Sequence, residues 1–197
     1  MKRYYNKLMV VSIIAIVLFT LNSCASKPKF TGTGDLCGLV IDENNQPVSD
    51  FVLYCKKDSG LSKSAITNES GLFVIQGVPA GIYKISGEKS NYSKITDFEY
   101  QFVKRSNILC LQIMSLKGAI SEVDGLILRG EKEKAILLLN NISVKEKSSE
   151  EALINSYKYF LVSDEQSKNQ ILAQLKNIDN SHSKFFTEYS DLLEAKK

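Results

Sequence analysis

The sequence predicts an α+β protein in which an antiparallel β-sandwich precedes a set of α-helical hairpins. Short apolar runs separated by Gly, Pro, Asn and Asp clusters fill residues 35–116, and apolar residues at helical spacing fill residues 117–197. An apolar leader before residue 24 predicts export. We therefore expect four segments, namely a signal peptide at 1–23, a lipidated tether at 24–34, the sandwich at 35–116 and the helical domain at 117–197.

The N-terminal segment has the parts of a secretory signal. Lys2, Arg3 and Lys7 form a basic head, and residues 8–23 carry no ionisable side chain. An apolar run of about 15 residues spans roughly 22 Å as a helix, which is shorter than the roughly 30 Å hydrocarbon core of a bilayer. This length favours a cleaved signal. An ordinary secretion signal, an uncleaved anchor and a buried helix are the alternatives.

Residues 21–24 carry a more specific pattern. Leu21 lies three positions before Cys24, and the small residue Ser23 lies just before it. This pattern resembles a bacterial lipobox, which implies that Cys24 is acylated, becomes the mature N-terminus and makes the lipid bilayer a partner of the chain. Two or three acyl chains anchor a protein firmly, whereas one binds only marginally. Since no aspartate directly follows Cys24, the resemblance implies a cell-envelope location, at the outer membrane if the cell has two membranes.

The charge balance argues against a nucleic-acid partner. The chain has 25 Lys and Arg residues against 22 Asp and Glu residues, and three of the basic residues precede Cys24. The rest of the chain therefore carries 22 residues of each sign, and the sequence pI of 8.5 overstates its basicity. Because nucleic-acid binding needs a clustered basic surface, we expect none.

The strands of the predicted sandwich are short and separated by turn sequences. Residues 68–71 end in Gly71, which permits a positive φ before the next strand, and residues 78–81 contain a proline and a glycine that suit a turn. The runs that we predict as strands lie within 36–42, 48–57, 61–67, 72–77, 82–89, 98–103 and 107–116.

Several residues of these strands and turns form an ordered pattern. They are Gly38, Val40 and Asp42, then Gln46, Pro47 and Val48, then Thr67, Gly71 and Phe73, and then Val78, Pro79, Gly81 and Tyr83. The pattern resembles the carboxypeptidase regulatory-like domain, a transthyretin-like sandwich. In metallocarboxypeptidases this module accompanies a separate zinc-bearing catalytic domain, so the resemblance implies a fold and no activity. His182 is the only histidine, so a two-histidine zinc site cannot form.

The C-terminal part has the spacing of paired helices. Residues 129–131 interrupt the apolar pattern, and residues 148–151 and 163–165 have the composition of helix N-terminal caps. A shift of 34 residues lays Ile120 on Ile154 and Leu138 on Leu172, which resembles a tetratricopeptide-type repeat of helix pairs. An ordinary bundle of four or five helices is the alternative.

The chemistry-bearing residues do not converge on a reaction. Cys37, Cys55 and Cys110 fall on predicted strands, where they are three buried thiols or one disulfide with a thiol left over. The chain contains no C-x-x-C spacing, no second histidine and no G-x-S-x-G element. We therefore expect no enzyme activity and no catalytic, cofactor-binding or metal site.

Aromatic residues are the candidates for surface recognition. Tyr92, Phe98, Tyr100 and Phe102 cluster before the last strand, and the last three share one face of an extended segment. If that face points inward, they are core residues. If it points outward, they form a platform for sugar rings or for a protein.

These features predict a membrane-anchored lipoprotein that acts as a non-catalytic protein-interaction or envelope-assembly module. A polysaccharide-binding envelope lipoprotein is the alternative. An exposed apolar groove on the helical part would favour a protein partner, whereas an outward row of aromatic rings beside a groove would favour a polysaccharide.

Overall fold

The computed structural model describes residues 30–60, 62–103, 108–178, 181, 183–184 and 186–188. Cys24, the predicted signal peptide and His182 lie outside these ranges. None of the helices within them has the length and apolar character needed to cross a bilayer.

The β part consists of two main sheets and one small sheet. The strands are β1 (Thr33–Ile41), β2 (Val52–Lys56), β3 (Ser62–Ile66), β4 (Leu72–Pro79), β5 (Gly81–Glu88), β6 (Tyr92–Ser93), β7 (Ile95–Phe102), β8 (Ile108–Gln112) and β9 (Ile142–Ser143). A three-stranded sheet has the order β4-β1-β8, and a four-stranded sheet has the order β3-β2-β5-β7. The small sheet pairs β6 with β9. Each of the seven runs predicted as strands contains a strand of the two main sheets.

Alternation of side chains explains why the two main sheets pack as a sandwich. In both sheets every second residue is buried, and the buried residues of the three-stranded sheet include Leu36, Val40, Phe73, Ile75, Leu109 and Leu111. Those of the four-stranded sheet include Leu53, Cys55, Tyr83 and Ile85. Because each sheet buries one apolar face, the two faces form a common core.

The pairing of β8 differs from the antiparallel sandwich that the sequence predicts. β8 lies parallel to β1, with Cys37 opposite Ile108, whereas β1 and β4 are antiparallel. Parallel neighbours need a crossover, and here the chain passes through the four-stranded sheet before it returns as β8. The other pairs of both main sheets are antiparallel, as predicted.

The turn at residues 68–71 forms as its sequence predicts. Asn68 Oδ1 accepts hydrogen bonds of 3.0 Å from the backbone N–H groups of Ser70 and Leu72. Gly71 has a φ of +71°, and a Cβ at this position would lie 2.5 Å from the carbonyl oxygen of Val40. Both the left-handed backbone and this close approach therefore require glycine.

Four helices follow the sandwich. They are α1 (Leu116–Leu128), α2 (Lys132–Asn141), α3 (Ser149–Leu161) and α4 (Glu165–Lys176). Contacts join α1 to α2, α2 to α3, and α3 to α4. The predicted caps are confirmed, because Ser148 accepts from Glu151 N at 3.2 Å and Asp164 accepts from Ser167 N at 2.7 Å.

The helix starts recur with a period one residue shorter than predicted. α3 begins 33 residues after α1, and α4 begins 33 residues after α2. The N-cap serines of α1 and α3, Ser115 and Ser148, obey the same offset. The 34-residue shift aligned apolar residues without their caps. A tetratricopeptide-type repeat in these helices stays a prediction.

The helices contain two apolar clusters. The first includes Ala119, Val123, Leu139 and Ile154, and the second is built from α3, α4 and Phe186, with Leu172 and Leu175 at its centre. Residues 31–197 form one compact unit that includes both the strands and the helices. A division of 35–116 and 117–197 into separate domains stays a prediction.

The small β6–β9 sheet joins the sandwich to the helices. Ser93 N donates to Met114 O at 2.8 Å, and Met114 N donates to Ser93 Oγ at 2.9 Å. Lys94 N donates to Asn141 O at 2.9 Å. These bonds connect the segment before β7 with the starts and ends of the first two helices, so the helical part has a defined orientation against the strands.

The three cysteines in the described part of the chain are free. Cys55 is buried as predicted, but Cys37 is half-buried and Cys110 is exposed. The expectation of three buried thiols is therefore wrong for these two. Cys110 lies on the face of β8 opposite to Leu109 and Leu111, which point to the core, and the strand alternation places it outside.

Candidate partner-binding groove

A groove of about 680 Å³ lies where the segment after β5 meets the first turns of α1 and α3. We call it the junction groove. Its lining residues come from these three places and are Lys89, Ser90, Asn91, Tyr92, Ser115, Leu116, Lys117, Ile120, Glu150 and Leu153.

Backbone hydrogen bonds hold the segment 89–92 in place. Asn91 N donates to Ser143 O at 2.7 Å, and Leu116 N donates to Asn91 O at 2.7 Å. Asn91 has a φ of +69°, a left-handed conformation that asparagine tolerates better than most residues. This single residue therefore contacts both β9 and the first residue of α1, and it sets the wall of the junction groove.

The floor of the junction groove is apolar. Leu116 and Ile120 lie on one face of α1 and pack partly against the first helical cluster. Leu153 lies one turn into α3, and the ring of Tyr92 lies on the side of the strands. All four side chains are half-buried, so each keeps apolar surface that a bound side chain can cover.

Charged groups stand at the rim. Lys89 Nζ donates to Ser49 O at 2.6 Å and lies 5.5 Å from the centroid of the Tyr92 ring. Lys117 is exposed on α1. Hydrogen bonds from its own backbone N–H and from Ser149 and Ser148 lower the pKa of Glu150 below its ordinary value, so this carboxylate at the start of α3 is ionised near neutral pH.

The electrostatic surroundings of Tyr92 keep its phenol neutral. Burial raises its pKa above the ordinary value of 10, and the negative charges of Asp42 and Glu43 raise it further. Tyr92 is therefore a hydrogen-bonding and apolar group in the junction groove over the physiological pH range.

Glu43 positions the start of α1 beside the junction groove. Ser115 N donates to Glu43 Oε2 at 2.8 Å, and Ser115 Oγ donates to Oε1 at 2.6 Å. Ser115 Oγ in turn accepts from Gly118 N at 3.1 Å as the N-cap of α1. Burial alone would raise the pKa of Glu43, but the bonds from Ser115 outweigh it and the pKa is lowered.

One polar atom in the wall is unsatisfied. Asn91 Oδ1 is buried and has no hydrogen-bond partner in the described part of the chain. A buried acceptor without a donor costs free energy, and a donor that reached it from a bound partner would remove that cost. Asn91 thus provides the junction groove with an acceptor beside its apolar floor.

A second groove lies on the other side of Ser115 and is more polar. It has a volume of about 620 Å³ and is lined by Asp42, Glu43, Asn44, Met114, Ser115, Lys117, Gly118, Ser121 and Glu122. A smaller depression of about 190 Å³ lies beside β7 and includes Tyr54 and Lys94. Within the described ranges, no three His, Cys, Asp or Glu side chains come together as metal ligands.

The structure separates the four aromatic residues that the sequence groups together. Tyr92 lines the junction groove, whereas the other three lie on β7. Tyr100 is opposite Tyr83 and Phe98 is opposite Ile85, so they share the inner face of their sheet with two core residues. Phe102 is 0 % exposed and belongs to the core.

Phe98 and Tyr100 are less covered than Phe102 because β7 is the edge strand of the four-stranded sheet. Phe98 is 44 % exposed and Tyr100 is half-buried. The predicted surface role therefore fails for Phe102, and the remaining two rings do not extend to the junction groove lining. Cys24, the predicted lipidation site, lies outside the described residues.

Sequence reasoning missed most residues of the junction groove. Leu116, Ile120 and Leu153 carried only the signal of an amphipathic helix, which also fits a residue of the core. Asn91 had the clearest local signal, because an asparagine followed by an aromatic residue between two strands suits a left-handed turn.

Comparisons with known proteins show limited likeness. No family model matches the chain, and no curated protein matches it. Among solved structures, the chain is similar to the Bacillus anthracis TIE protein, with 17% identity over 43% of this chain and 17% of that one, at a TM-score of 0.38. It is similar to a streptococcal ancillary pilin, with 13% identity over 43% and 30% of the two chains, at a TM-score of 0.37.

A third similar structure is a DUF3823 family protein from Parabacteroides merdae. Its identity is 10% over 44% of this chain and 47% of that one, at a TM-score of 0.32. The chain thus covers less than a third of the TIE protein and of the ancillary pilin, and about half of the DUF3823 protein.

Proposed function

We propose that the protein is a lipid-anchored, non-catalytic interaction module of the bacterial cell envelope, and that the junction groove binds a segment of a protein partner. The observation that carries this proposal is an apolar groove that opens at the starts of two helices. Its apolar floor supplies the affinity, and the polar atoms in its wall supply orientation.

The anchor rests on the sequence around Cys24. A basic head, an uncharged apolar run and Leu21 and Ser23 before the cysteine favour acylation at this position. The acyl chains would hold the folded part at a membrane, where it meets other envelope proteins at high local concentration.

The groove favours a protein segment over a polysaccharide. Sugar rings stack on exposed aromatic faces, but the aromatic row of β7 points towards the core and Tyr92 is the single aromatic residue that lines the junction groove. Leu116, Ile120 and Leu153 instead offer aliphatic surface, which suits leucine- or valine-type side chains of a peptide.

The charges at the rim indicate the polarity of the partner. Lys89 and Lys117 flank the junction groove, and the N-terminal ends of α1 and α3 add partial positive charge. Glu150 is the single acidic residue in the lining. We therefore expect the partner segment to carry a carboxylate beside its apolar side chains.

Photo-crosslinking in intact cells tests the groove. A photoreactive amino acid replaces Lys117 at the rim, and a matched variant carries it at Leu137, which is 68 % exposed on α2 and outside the lining. We expect a discrete protein adduct at position 117 and none at 137. The adduct should also disappear when Leu153→Asp places a charge in the floor.

Two outcomes would contradict this use of the groove. Equal adducts at positions 117 and 137 would indicate non-specific capture, and an adduct that persists with Leu153→Asp would indicate a partner that does not use the groove. If neither position forms an adduct while the purified protein binds envelope polysaccharide on a glycan array, the polysaccharide-binding alternative replaces the proposal.

The anchor has a separate test. Cells fed a labelled palmitate should incorporate it into the protein, and the Cys24→Ala variant should lose the label. Cys110→Ala is a matched control, because Cys110 is an exposed cysteine elsewhere in the chain. Label that remains on the Cys24→Ala variant would reject this acylation site.

A further inference from the structure

The outer face of the three-stranded sheet carries an exposed apolar patch. Two rows of side chains cross the sheet in register, Val74 with Cys37 and Ile108, and Leu72 with Leu39 and Cys110. We call these six residues the outer patch. Ile108 is 71 %, Val74 51 % and Leu72 49 % exposed.

This apolar face is unusual for a sheet that has its other face in the core. An antiparallel sheet with one face in water normally alternates apolar and polar residues, so the outer positions should be polar. In the outer patch none of the six side chains is charged, although strands β1, β4 and β8 all contribute to it. A contiguous exposed apolar surface of this kind marks a site that contacts another body.

The size of the outer patch argues against a second copy of this chain. Three strands spaced by about 4.8 Å and a few residues of about 3.3 Å each cover on the order of 250 Å². A stable dimer buries about 800 Å² on each partner. A patch of this size holds its target only if another attachment already keeps the two close.

The chain before β1 supplies such an attachment. β1 begins at Thr33, nine residues after Cys24, and contributes Cys37 and Leu39 to the outer patch. Nine residues span at most about 30 Å when fully extended. An acyl group on Cys24 would therefore keep the outer patch within one short tether of the bilayer surface.

We propose that the outer patch lies against the lipid bilayer and orients the protein on the membrane, an inference that rests on the proposed acylation of Cys24. The apolar side chains of β1, β4 and β8 insert at the level of the headgroups. The four-stranded sheet, which packs on the opposite face, then points away from the membrane with Ile66 and Ile82 on its outer surface.

Fluorescence quenching tests this orientation. The acylated protein is purified from cells and reconstituted into phosphatidylcholine vesicles with and without brominated acyl chains. An environment-sensitive fluorophore is attached to Cys110 in a Cys37→Ser background, where the remaining Cys55 is buried. The matched control carries Cys37→Ser, Cys110→Ser and Ile82→Cys, because Ile82 is 51 % exposed on the other sheet.

We expect brominated lipid to reduce the emission at Cys110 at least twofold and to leave the label at Ile82→Cys unchanged. Equal quenching at both sites, or none at either, would overturn the inference. Emission at Cys110 that depends on protein density and not on brominated lipid would also overturn it, in favour of contact between two copies.

The palmitate content of the same preparation separates the two proposals. An acylated protein with an unquenched Cys110 overturns the orientation and leaves the anchor in place. A protein without acyl chains overturns both. A further variant, Ile108→Lys, should lower quenching at Cys110 without changing palmitate content, which distinguishes patch contact from simple closeness to the membrane.

Discussion

The carboxylate of Glu43 joins the turn after β1 to Ser115, the residue that begins the first helix, although 72 residues separate them. It accepts one hydrogen bond from the Ser115 backbone and one from its hydroxyl group, while that hydroxyl caps α1. A negative charge at this end of a helix is also favourable for the helix dipole. The sandwich therefore determines where the helical part, and with it one wall of the junction groove, begins.

Removal of this carboxylate should destabilise the fold. Glu43→Ala leaves the Ser115 N–H without its acceptor, and we expect the free energy of unfolding to fall by about 1–2 kcal/mol. Urea denaturation followed by circular dichroism measures this change. Glu69→Ala is the matched control, because Glu69 is exposed in a turn, and it should change stability by less than about 0.5 kcal/mol. Equal stability of the two variants would contradict the role of Glu43.

The same contact predicts a pH dependence on the acid side. Burial opposes ionisation of Glu43, but its bonds to Ser115 prevail and lower its pKa in the folded state from the ordinary 4.5. The folded protein then holds fewer protons on this group than the unfolded chain, so the stabilisation is present above pH 4.5 and is lost as pH falls through the lowered pKa.

Glu43→Gln isolates this contribution from the other carboxylates of the chain. The difference in unfolding free energy between the native protein and this variant should be constant from pH 7 to 5 and should shrink between pH 4.5 and 3. Urea titrations at each pH give the difference. A gap that stays constant down to pH 3 would show that the charge of Glu43 contributes nothing.

The local features of the fold follow from the sequence, because their causes lie within a few residues. Asn68 with Gly71, Ser148 and Asp164 each satisfy backbone groups two to four residues away. Such contacts are encoded by residue type and spacing, and for this reason the predicted turns and caps formed.

The junction groove did not follow from the sequence, because its parts are distant along the chain. Asn91, Leu116 and Leu153 come from three elements, and nothing in their spacing places them together. The parallel pairing of β1 and β8 is similar, since a period of two gives the face of each residue but not the partner strand. For Phe102 the shared face was correct, and only the sheet packing decided that it is buried.

The cysteines should differ widely in reactivity. Burial raises the pKa of the Cys55 thiol to about 11, although the charge of Lys63 partly opposes this shift. At pH 8 its thiolate is scarce and its sulfur is covered, whereas Cys110 is exposed. A maleimide reagent should modify Cys110 within minutes and leave Cys55 unmodified until urea unfolds the protein.

Peptide mass spectrometry of the labelled protein measures the order of modification. Cys37, which is half-buried, should react at an intermediate rate. Modification of Cys55 as fast as that of Cys110 under native conditions would contradict its place in the sandwich core.

Gly118 provides a test of the contact between Glu43 and α1 by double substitution. A Cβ at this position would lie 2.3 Å from Glu43 Oε1, so alanine must displace the carboxylate from Ser115. Alanine is favoured over glycine in a helix by about 1 kcal/mol, but the lost bonds cost about 1–2 kcal/mol. We therefore expect Gly118→Ala to lower the free energy of unfolding by about 0.5–1 kcal/mol, a net loss from these two terms.

The sign should reverse when Glu43 is absent. In the Glu43→Ala background the new methyl group meets no carboxylate, and Gly118→Ala should raise stability by about 0.5–1 kcal/mol. Gly125→Ala is the matched control on the same helix, where the new Cβ would meet only the flexible end of Arg129 at 3.2 Å. It should be stabilising in both backgrounds. If Gly118→Ala has the same effect with and without Glu43, the two residues are independent and the sandwich does not control the start of α1 through this contact.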